Sequence, residues 1–237
     1  MGTYKGPLMN KRSATIHVNK LGAAQRQLRA AIRMYFADED ELAVHTVASA
    51  AYRLINDLKL AKGKDEVADY HLTSIFYAVR DFRRGTLPLY MTSNAGLMNL
   101  IKKLADTFPI EATSKFEDVS VSVTPDVTKQ FWRKQNKASN FLKHADHDIT
   151  AHIALDEIEN SRLLMQTLGA YTDLVKDDLG AEGLVFWLYS SAEAGNYEGL
   201  PENFRGVAER LVELGPVGRR EFCSAMILEL NSVSQQP

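Results

Sequence analysis

Residues 21–36 read LGAAQRQLRAAIRMYF, and this stretch decides the fold class. Apolar side chains recur in it every three or four residues, at Leu21, Ala24, Leu28, Ala31, Ile32, Tyr35 and Phe36. That spacing is the period of an amphipathic α-helix that buries one face in a shared core. The stretch therefore predicts a helix, and because the same period dominates the chain, the sequence predicts an all-α protein.

Comparable patterns follow this stretch along the chain. They cover residues 43–58, 65–84, 97–104, 124–144, 150–175, 181–194, 202–214 and 218–230. Between 108 and 124 the pattern breaks, because Pro109 interrupts it and three valines, at 119, 121 and 123, alternate with serines. We expect a multi-helix bundle of about eight or nine helices with a short irregular or extended segment at 108–124.

The length of 237 residues allows one large domain or two small ones. We predict a single helical domain over residues 19–230, with 108–124 as the candidate sub-boundary. Residues 1–18 are predicted to be a flexible basic arm and residues 231–237 a loose tail, because both lie outside the helical patterns. Residues 15–18 also suit a short edge strand.

The composition excludes several classes of protein. With 45% apolar residues, 24% charged residues and one cysteine, the chain is globular, neither disordered nor held by disulfides. Its longest apolar run, residues 184–189, is far shorter than the roughly 20 residues that cross a bilayer. We expect a cytoplasmic protein without a membrane partner, in which Cys223 is a buried and inert thiol.

Common cofactor and hydrolase motifs do not occur in the chain. Glycine-rich phosphate loops, the His-Glu-x-x-His zinc motif and the Gly-x-Ser-x-Gly nucleophile motif are all missing. The Glu-x-x-His pairs that build di-iron helical bundles are missing as well. The sequence therefore predicts no bound cofactor.

The net charge of −2 hides a strong segregation of charge. Residues 1–37 and 127–145 contain no acid and together hold 12 of the 28 Lys and Arg residues. The remaining residues carry 16 bases against 30 acids. Two interpretations follow: either these segments build a local positive surface, or their cations have partners across the fold.

The second acid-free segment falls in the helix predicted over 124–144. At about 100° per residue, one polar strip of this helix holds Lys129, Arg133, Lys137, Asn140 and His144. Trp132 and Lys143 flank the strip, where an aromatic ring beside cations suits base stacking. The strip predicts contact with the phosphates of RNA or a nucleotide, and a plain solvated helix face is the other interpretation.

A cluster of histidines and aspartates follows at 144–152. If this run is helical, His144, Asp148 and His152 share one face and suit a metal ion or acid–base chemistry. The same run also suits a polar turn, with Asp148 or Thr150 as the cap of the next helix. Elsewhere, His45 is expected to be a buried structural histidine with Glu41 or Ser49 as its local partner.

The segment Asn140-Phe141-Leu142-Lys143-His144-Ala145-Asp146 resembles the Arg-polar-x3-His signature of HEPN proteins. Asn140 matches the polar position and His144 the histidine, while Ser139 stands where the family has its arginine. HEPN proteins are small helical bundles that often dimerise and include metal-independent RNases of bacterial defence and stress systems. The resemblance implies a bacterial homodimer in which His144 is the general acid–base and Asn140 orients the phosphate or ribose, or an inactive relative that binds RNA only.

Two alternatives from other classes stand beside this hypothesis. The charge segregation also suits a non-enzymatic scaffold that docks a protein partner. The doublet His147-Asp148 resembles the motif of HD-type metal phosphohydrolases, for which His45 upstream and Asp173 or Asp177 downstream are the candidate further residues. The alternative metal site is formed by His147, Asp148 and His152. The sequence leaves open whether the protein is an enzyme.

Overall fold

The computed structural model describes residues 16–62, 68–87, 89–93, 95–116, 136–143, 149–177, 179–195 and 200–233. This part of the chain forms nine helices of seven or more residues, a four-residue helix and no strand, which confirms the all-α prediction. The helices are α1 Lys20–Phe36, α2 Glu41–Ala61, α3 Ala68–Arg84, α4 Leu89–Thr92, α5 Ala95–Thr107, α6 Lys137–Lys143, α7 Asn160–Val175, α8 Ala181–Glu193, α9 Glu202–Glu213 and α10 Pro216–Val233.

Side-chain caps fix where the first two helices begin. The Asn19 side chain accepts a hydrogen bond from the Gly22 amide at 2.7 Å. Asp40 accepts from the amides of Leu42 and Ala43, both at 3.0 Å. Each cap satisfies amides that have no carbonyl partner within the helix, and the Asp40 carboxylate also suits the positive end of the helix dipole. The short link between α1 and α2 turns through Asp38, whose φ of 56° is left-handed.

The main core lies where α1, α2, α7 and α8 pack together, with α9 and α10 against α8. Its largest fully buried side chains include Leu28, Ile32, Ile55, Leu164 and Phe186. The apolar positions of residues 21–36 supply the α1 side of this core, as the three-and-four spacing predicts. Cys223 is also fully buried in it, which confirms the predicted burial of this thiol, and burial raises its pKa to about 12.

A second, smaller cluster forms between α3 and α5. Phe76 and Val79 of α3 pack with Ala105 of α5 and with Ile110, which follows it. The Arg83 guanidinium donates a hydrogen bond to the Ala105 carbonyl at 2.7 Å and so ties the two helices together. The irregular segment predicted from residue 108 therefore begins with a buried anchor at Ile110, while residues 117–124 lie outside the described residues.

A buried carboxylate joins α1 to α8. Glu182 is 1% exposed, and its oxygens accept hydrogen bonds from Arg29 Nε at 2.8 Å and from Arg33 Nη1. Burial by itself would raise the pKa of Glu182, but the hydrogen bonds from Arg29 and Arg33 hold that pKa below its usual value. Two cations of the first acid-free segment are thus paired across the fold.

Several predicted helix boundaries differ from the structure, and α2, α5 and α10 each extend two or three residues beyond both predicted ends. The helix predicted over 150–175 begins only at Asn160, after an extended stretch and one 3-10 turn at Leu155–Glu157. Ile149 and Leu155 are exposed in this stretch, so these two large apolar side chains give no packing that would stabilise a helix there. At the other end of the chain, α10 continues to Val233, three residues beyond the predicted end.

Two further sequence predictions concern the N-terminus and membranes. Residues 16–19 are irregular rather than strand, and Asn19 caps α1. Within the described ranges, no helix combines the length and the apolar character needed to span a bilayer.

Candidate functional site

The structure describes four of the ten predicted site residues. Lys137, Asn140 and Lys143 lie on α6, and His152 lies in the extended stretch before α7. The other six fall outside the described residues, and they are Lys129, Trp132, Arg133, His144, His147 and Asp148. The sequence hypotheses for these six residues stay predictions.

The sequence predicts one continuous helix over 124–144, but Asn136 lies in a turn and α6 begins at Lys137. Within α6 the residues form the buried and the exposed face that the sequence predicts. Ala138 is buried and Leu142 is half-buried, whereas Lys137, Asn140 and Lys143 are exposed. The buried side of α6 packs against α2. Asn140 and Lys143 therefore stand on a short helix whose position is fixed by α2.

A polar cavity of about 270 Å³ lies between α2 and α6. We call it the α2–α6 cavity. It is lined by Ser49, Tyr52, Arg53, Asn56, Asp57, Leu60, Asn136, Ser139, Asn140, Lys143 and Leu163. The cavity brings Asn140 and Lys143 together with polar residues of α2 that lie more than 80 positions earlier in the chain.

The contribution of α2 was missed by the sequence hypotheses. Arg53 follows Ser49 by four residues, and the adjacent Asn56 and Asp57 follow Arg53 by three and four, which places all of them on one side of the helix. They sit opposite the apolar side that α2 buries in the core through residues such as Ala51 and Ile55. A polar stripe on an otherwise apolar helix was the available signal, although many solvated helix faces have the same pattern.

Among the described residues, the charges that line the α2–α6 cavity come from two cations and one acid. Arg53 and Lys143 are both exposed and line the cavity from α2 and α6, and Asp57 is the carboxylate in this described lining. Ser49 and Ser139 are buried polar residues in the wall. The lining offers cations, hydroxyl groups and amides to a ligand, with a net positive charge.

Asn56 adds a buried acceptor to the same wall. Its Oδ1 atom is buried and has no hydrogen-bond partner among the described residues. An unpaired buried acceptor costs about 1–3 kcal/mol relative to a hydrogen-bonded one.

His45 lies one helical turn before Ser49 on α2 and is 6% exposed. Its Nδ1 atom is 3.1 Å from Asn160 Oδ1, and Asn160 Nδ2 donates to the Glu41 carbonyl at 2.9 Å. Because Nδ2 is committed to that carbonyl, Oδ1 faces the ring, and His45 Nδ1 must be the donor. The prediction of a buried histidine is confirmed, but this ring nitrogen is paired with Asn160 rather than with the predicted Glu41 or Ser49 side chains.

The surroundings of His45 keep the ring neutral. Burial lowers its pKa, and the nearby positive charge of Lys143 lowers it further, against the opposing hydrogen bond with Asn160. Lys143, which also lines the α2–α6 cavity, is thus near enough to His45 to lower the pKa of the ring.

The common helical face proposed for His144, Asp148 and His152 does not extend to His152. His152 is exposed in a non-helical segment, so the spacing of four no longer aligns it with earlier residues. Within the described residues, no three His, Cys, Asp or Glu side chains come together to hold a metal ion. Lys137 of the predicted strip forms an ion pair with Glu157 and does not line the α2–α6 cavity.

Two larger cavities have different linings. One of about 890 Å³ lies beside the start of α7 and is lined by four glutamates, while its two arginines are paired with Glu159 and Asp38. Another of about 690 Å³ is mainly apolar and includes Trp187 and Phe204. Excess acid in the first and apolar walls in the second make both less suited to an anion than the α2–α6 cavity.

Comparison of the chain with protein-family models, curated proteins and solved structures gives no match.

Proposed function

We propose that the protein binds a phosphate-bearing ligand, RNA or a nucleotide, in the α2–α6 cavity. The observation that carries the proposal is the convergence of Asn140 and Lys143 with Arg53 on one polar cavity. In the proposal Lys143 and Arg53 contact phosphate oxygens, and Asn140 orients the phosphate or its sugar. Charged hydrogen bonds from arginine and lysine to phosphate are among the strongest that proteins form.

The size of the cavity supports a small polar ligand group. Its volume of about 270 Å³ lies just below the ~300–1,000 Å³ of pockets that enclose drug-sized molecules. A phosphate with its sugar suits such a space, while the bases of a longer strand extend outside it. This arrangement favours contact with the backbone of a strand over enclosure of a whole nucleotide.

Arg53 of α2 could supply the positive charge that the HEPN motif takes from its own arginine. Ser139 stands at the position of the family's arginine, and Arg53 lines the same cavity as Ser139. A cation is therefore supplied to the neighbourhood of Asn140 by another helix. In the RNase form of the proposal His144 is the general acid–base, and in the binding form the same residues give affinity without chemistry.

Charge reversal at the cavity tests the proposal. Binding of a short end-labelled RNA is measured by fluorescence anisotropy at about 50 mM salt and at higher salt, with circular dichroism as the folding control. Arg53→Glu and Lys143→Glu are each expected to weaken binding about tenfold and to reduce the salt slope by about 1.

Lys102→Glu is the matched control, because Lys102 is an exposed lysine on α5 and does not line the cavity. The proposal is wrong if wild-type protein does not bind at low salt, or if all three variants bind equally well. Gel analysis of the same samples, with a chelator and with His144→Ala, separates the RNase form from the binding form. Chelator-resistant cleavage that the variant lacks supports the RNase form.

A further inference from the structure

An ion pair holds the described cation of the predicted polar strip on α6. The Lys137 ammonium group donates to the Glu157 carboxylate, which lies 20 positions later in the chain. Glu157 belongs to the 3-10 turn in the stretch that leads to α7, and we call residues 149–159 the pre-α7 segment. This segment therefore places a negative charge directly on helix α6.

Lys137 stands next to the α2–α6 cavity, although it does not line it. It precedes Asn140 by three residues on α6, so the two residues are neighbours on the helix surface. Asn140 lines the cavity. Phosphates follow one another closely along a nucleic-acid strand. A strand with one phosphate in the cavity thus brings a second phosphate towards Lys137.

The ion pair is of the kind that a ligand can displace. The Lys137 and Glu157 side chains are 59% and 46% exposed, and ion pairs between exposed groups contribute little to stability and are screened by salt. Ile149 and Leu155 of the pre-α7 segment are exposed as well, whereas Ile158 is buried and anchors its end. The carboxylate can therefore leave Lys137 while the anchor in the core stays in place.

We propose that Glu157 is an internal competitor for phosphate, which holds Lys137 in the unbound protein and gives way to a phosphate next to the one in the α2–α6 cavity. This inference rests on the proposed function and concerns the regulation of the same site. Carboxylate and phosphate oxygens accept the same charged hydrogen bonds from lysine. With Lys137 occupied, Arg53 and Lys143 carry the phosphate contacts, and the affinity stays below the level that all three cations give together.

Glu157→Gln tests the proposal, because glutamine has nearly the same size as glutamate and no charge. Binding of the short end-labelled RNA is measured by fluorescence anisotropy over a range of salt concentrations, with circular dichroism as the folding control. The variant is expected to bind about fivefold more tightly than the wild type, the upper limit for the loss of an exposed ion pair. Its salt slope should steepen by about 0.7, as one further phosphate contact on a single strand requires.

Two further changes distinguish the ion pair from a general effect of charge. Asp156→Asn removes the same charge from the adjacent exposed position, and we expect it to change RNA binding by less than about 1.5-fold. Lys137→Ala is expected to have a similarly small effect in the wild type, where Glu157 already occupies the cation. Combined with Glu157→Gln, Lys137→Ala should abolish the fivefold gain, because residues in contact are not additive.

The outcomes separate this inference from the proposed function. Unchanged affinity in Glu157→Gln, an equal gain in Asp156→Asn, or a gain that survives Lys137→Ala overturns the role of Glu157, while RNA binding that Arg53→Glu weakens leaves the proposed function standing. If neither the wild type nor Glu157→Gln binds RNA at low salt, both the proposed function and this inference are wrong.

Discussion

Cations from the two acid-free segments end in different surroundings. Arg29 and Arg33 of the first segment hold the buried carboxylate of Glu182, with Asn231 at 3.4 Å as a further neighbour. Lys143 of the second segment lines the α2–α6 cavity, where it is joined by Arg53 of α2 and opposed by Asp57. We call the first group the Glu182 cluster.

This difference shows that a segment rich in cations and free of acids can serve either the packing of helices or an open polar surface. Among the described cations, Arg29, Arg33 and Lys137 have a partner across the fold, whereas Lys143 lines the α2–α6 cavity. The Glu182 cluster is a case of cations with a partner across the fold, and its arginines serve packing of α1 on α8. The α2–α6 cavity leaves its cations at an opening, where they are available to a ligand. Mutations in the two regions should therefore have opposite consequences for stability and binding.

The largest effect is expected in the Glu182 cluster. Arg29→Ala with Arg33→Ala leaves the Glu182 carboxylate buried without a cation, and we expect the free energy of unfolding to fall by about 3 kcal/mol. Equilibrium urea denaturation at pH 7 measures the change. This value lies at the low end of the roughly 3–5 kcal/mol that is lost when a buried ion pair is broken, because Arg29 and Arg33 are 35% and 50% exposed.

The pH dependence of this pair of changes gives a second check. In the wild type the lowered pKa of Glu182 means that its ion pairs contribute fully above pH 4.5 and are lost as pH falls through the folded-state pKa. In the double variant the two arginines no longer oppose the effect of burial, which favours the protonated acid. The difference in free energy of unfolding between the wild type and the double variant should therefore shrink as pH falls below about 4.5. A difference that does not change with pH contradicts the lowered pKa of Glu182 in the wild type.

A smaller effect is expected at His45. Its pKa is lowered in the folded protein, so the unfolded chain binds the proton more tightly. The neutral ring therefore contributes stability above pH 6.5, and this contribution is lost progressively as pH falls below that value. The facing groups are Lys143 on α6, Asn160 on α7 and the Glu41 backbone at the start of α2.

Urea denaturation of the wild type and of His45→Gln between pH 5 and 7.5 measures this contribution. The rise in stability with pH should be smaller in the variant. Equal slopes would show that His45 is not buried in its neutral form. The exposed His152 is the matched control, and His152→Gln should leave the slope unchanged.

The smallest effect on stability is expected at the cavity itself. Arg53→Ala with Lys143→Ala removes two exposed cations, and we expect the free energy of unfolding to change by less than about 0.5 kcal/mol. The same denaturation experiment at pH 7 measures it, and RNA binding is measured in parallel. A loss of stability comparable to that of the Glu182 cluster would show that these cations are structural, and the contrast between the two regions would not hold.

The helices of the core could be predicted from the sequence because their apolar spacing is regular. The stripe from Leu21 to Phe36 matches α1, and the acidic start at 38–41 matches a helix that Asp40 caps. The start of α7 could not be placed, because polar and apolar residues between Ile149 and Glu159 also fit a helical period. The packing of Ile158 and the side-chain hydrogen bonds of Asn160 fix that start, and neither is a local property.

The candidate site could be predicted only on its α6 side. Asn140 and Lys143 stood out because they lie in an acid-free segment beside a histidine. Arg53 and Asn56 did not stand out in the sequence, because they line the cavity only when α6 packs against α2, and the two helices are separated by more than 80 residues of chain. The partner of His45 was missed for the same reason, since Asn160 is 115 positions away. Glu182 looked like an ordinary acid at the start of a helix, yet it is 1% exposed.

The buried thiol of Cys223 can report how often the core of the protein opens to solvent. It is the one cysteine in the chain, it is fully buried among α8 and α10 side chains of the core, and burial raises its pKa to about 12. Only the thiolate reacts with alkylating or disulfide reagents, so the closed protein is protected both by access and by protonation. The labelling rate of Cys223 in native buffer therefore follows how often the core opens, in the manner of hydrogen exchange.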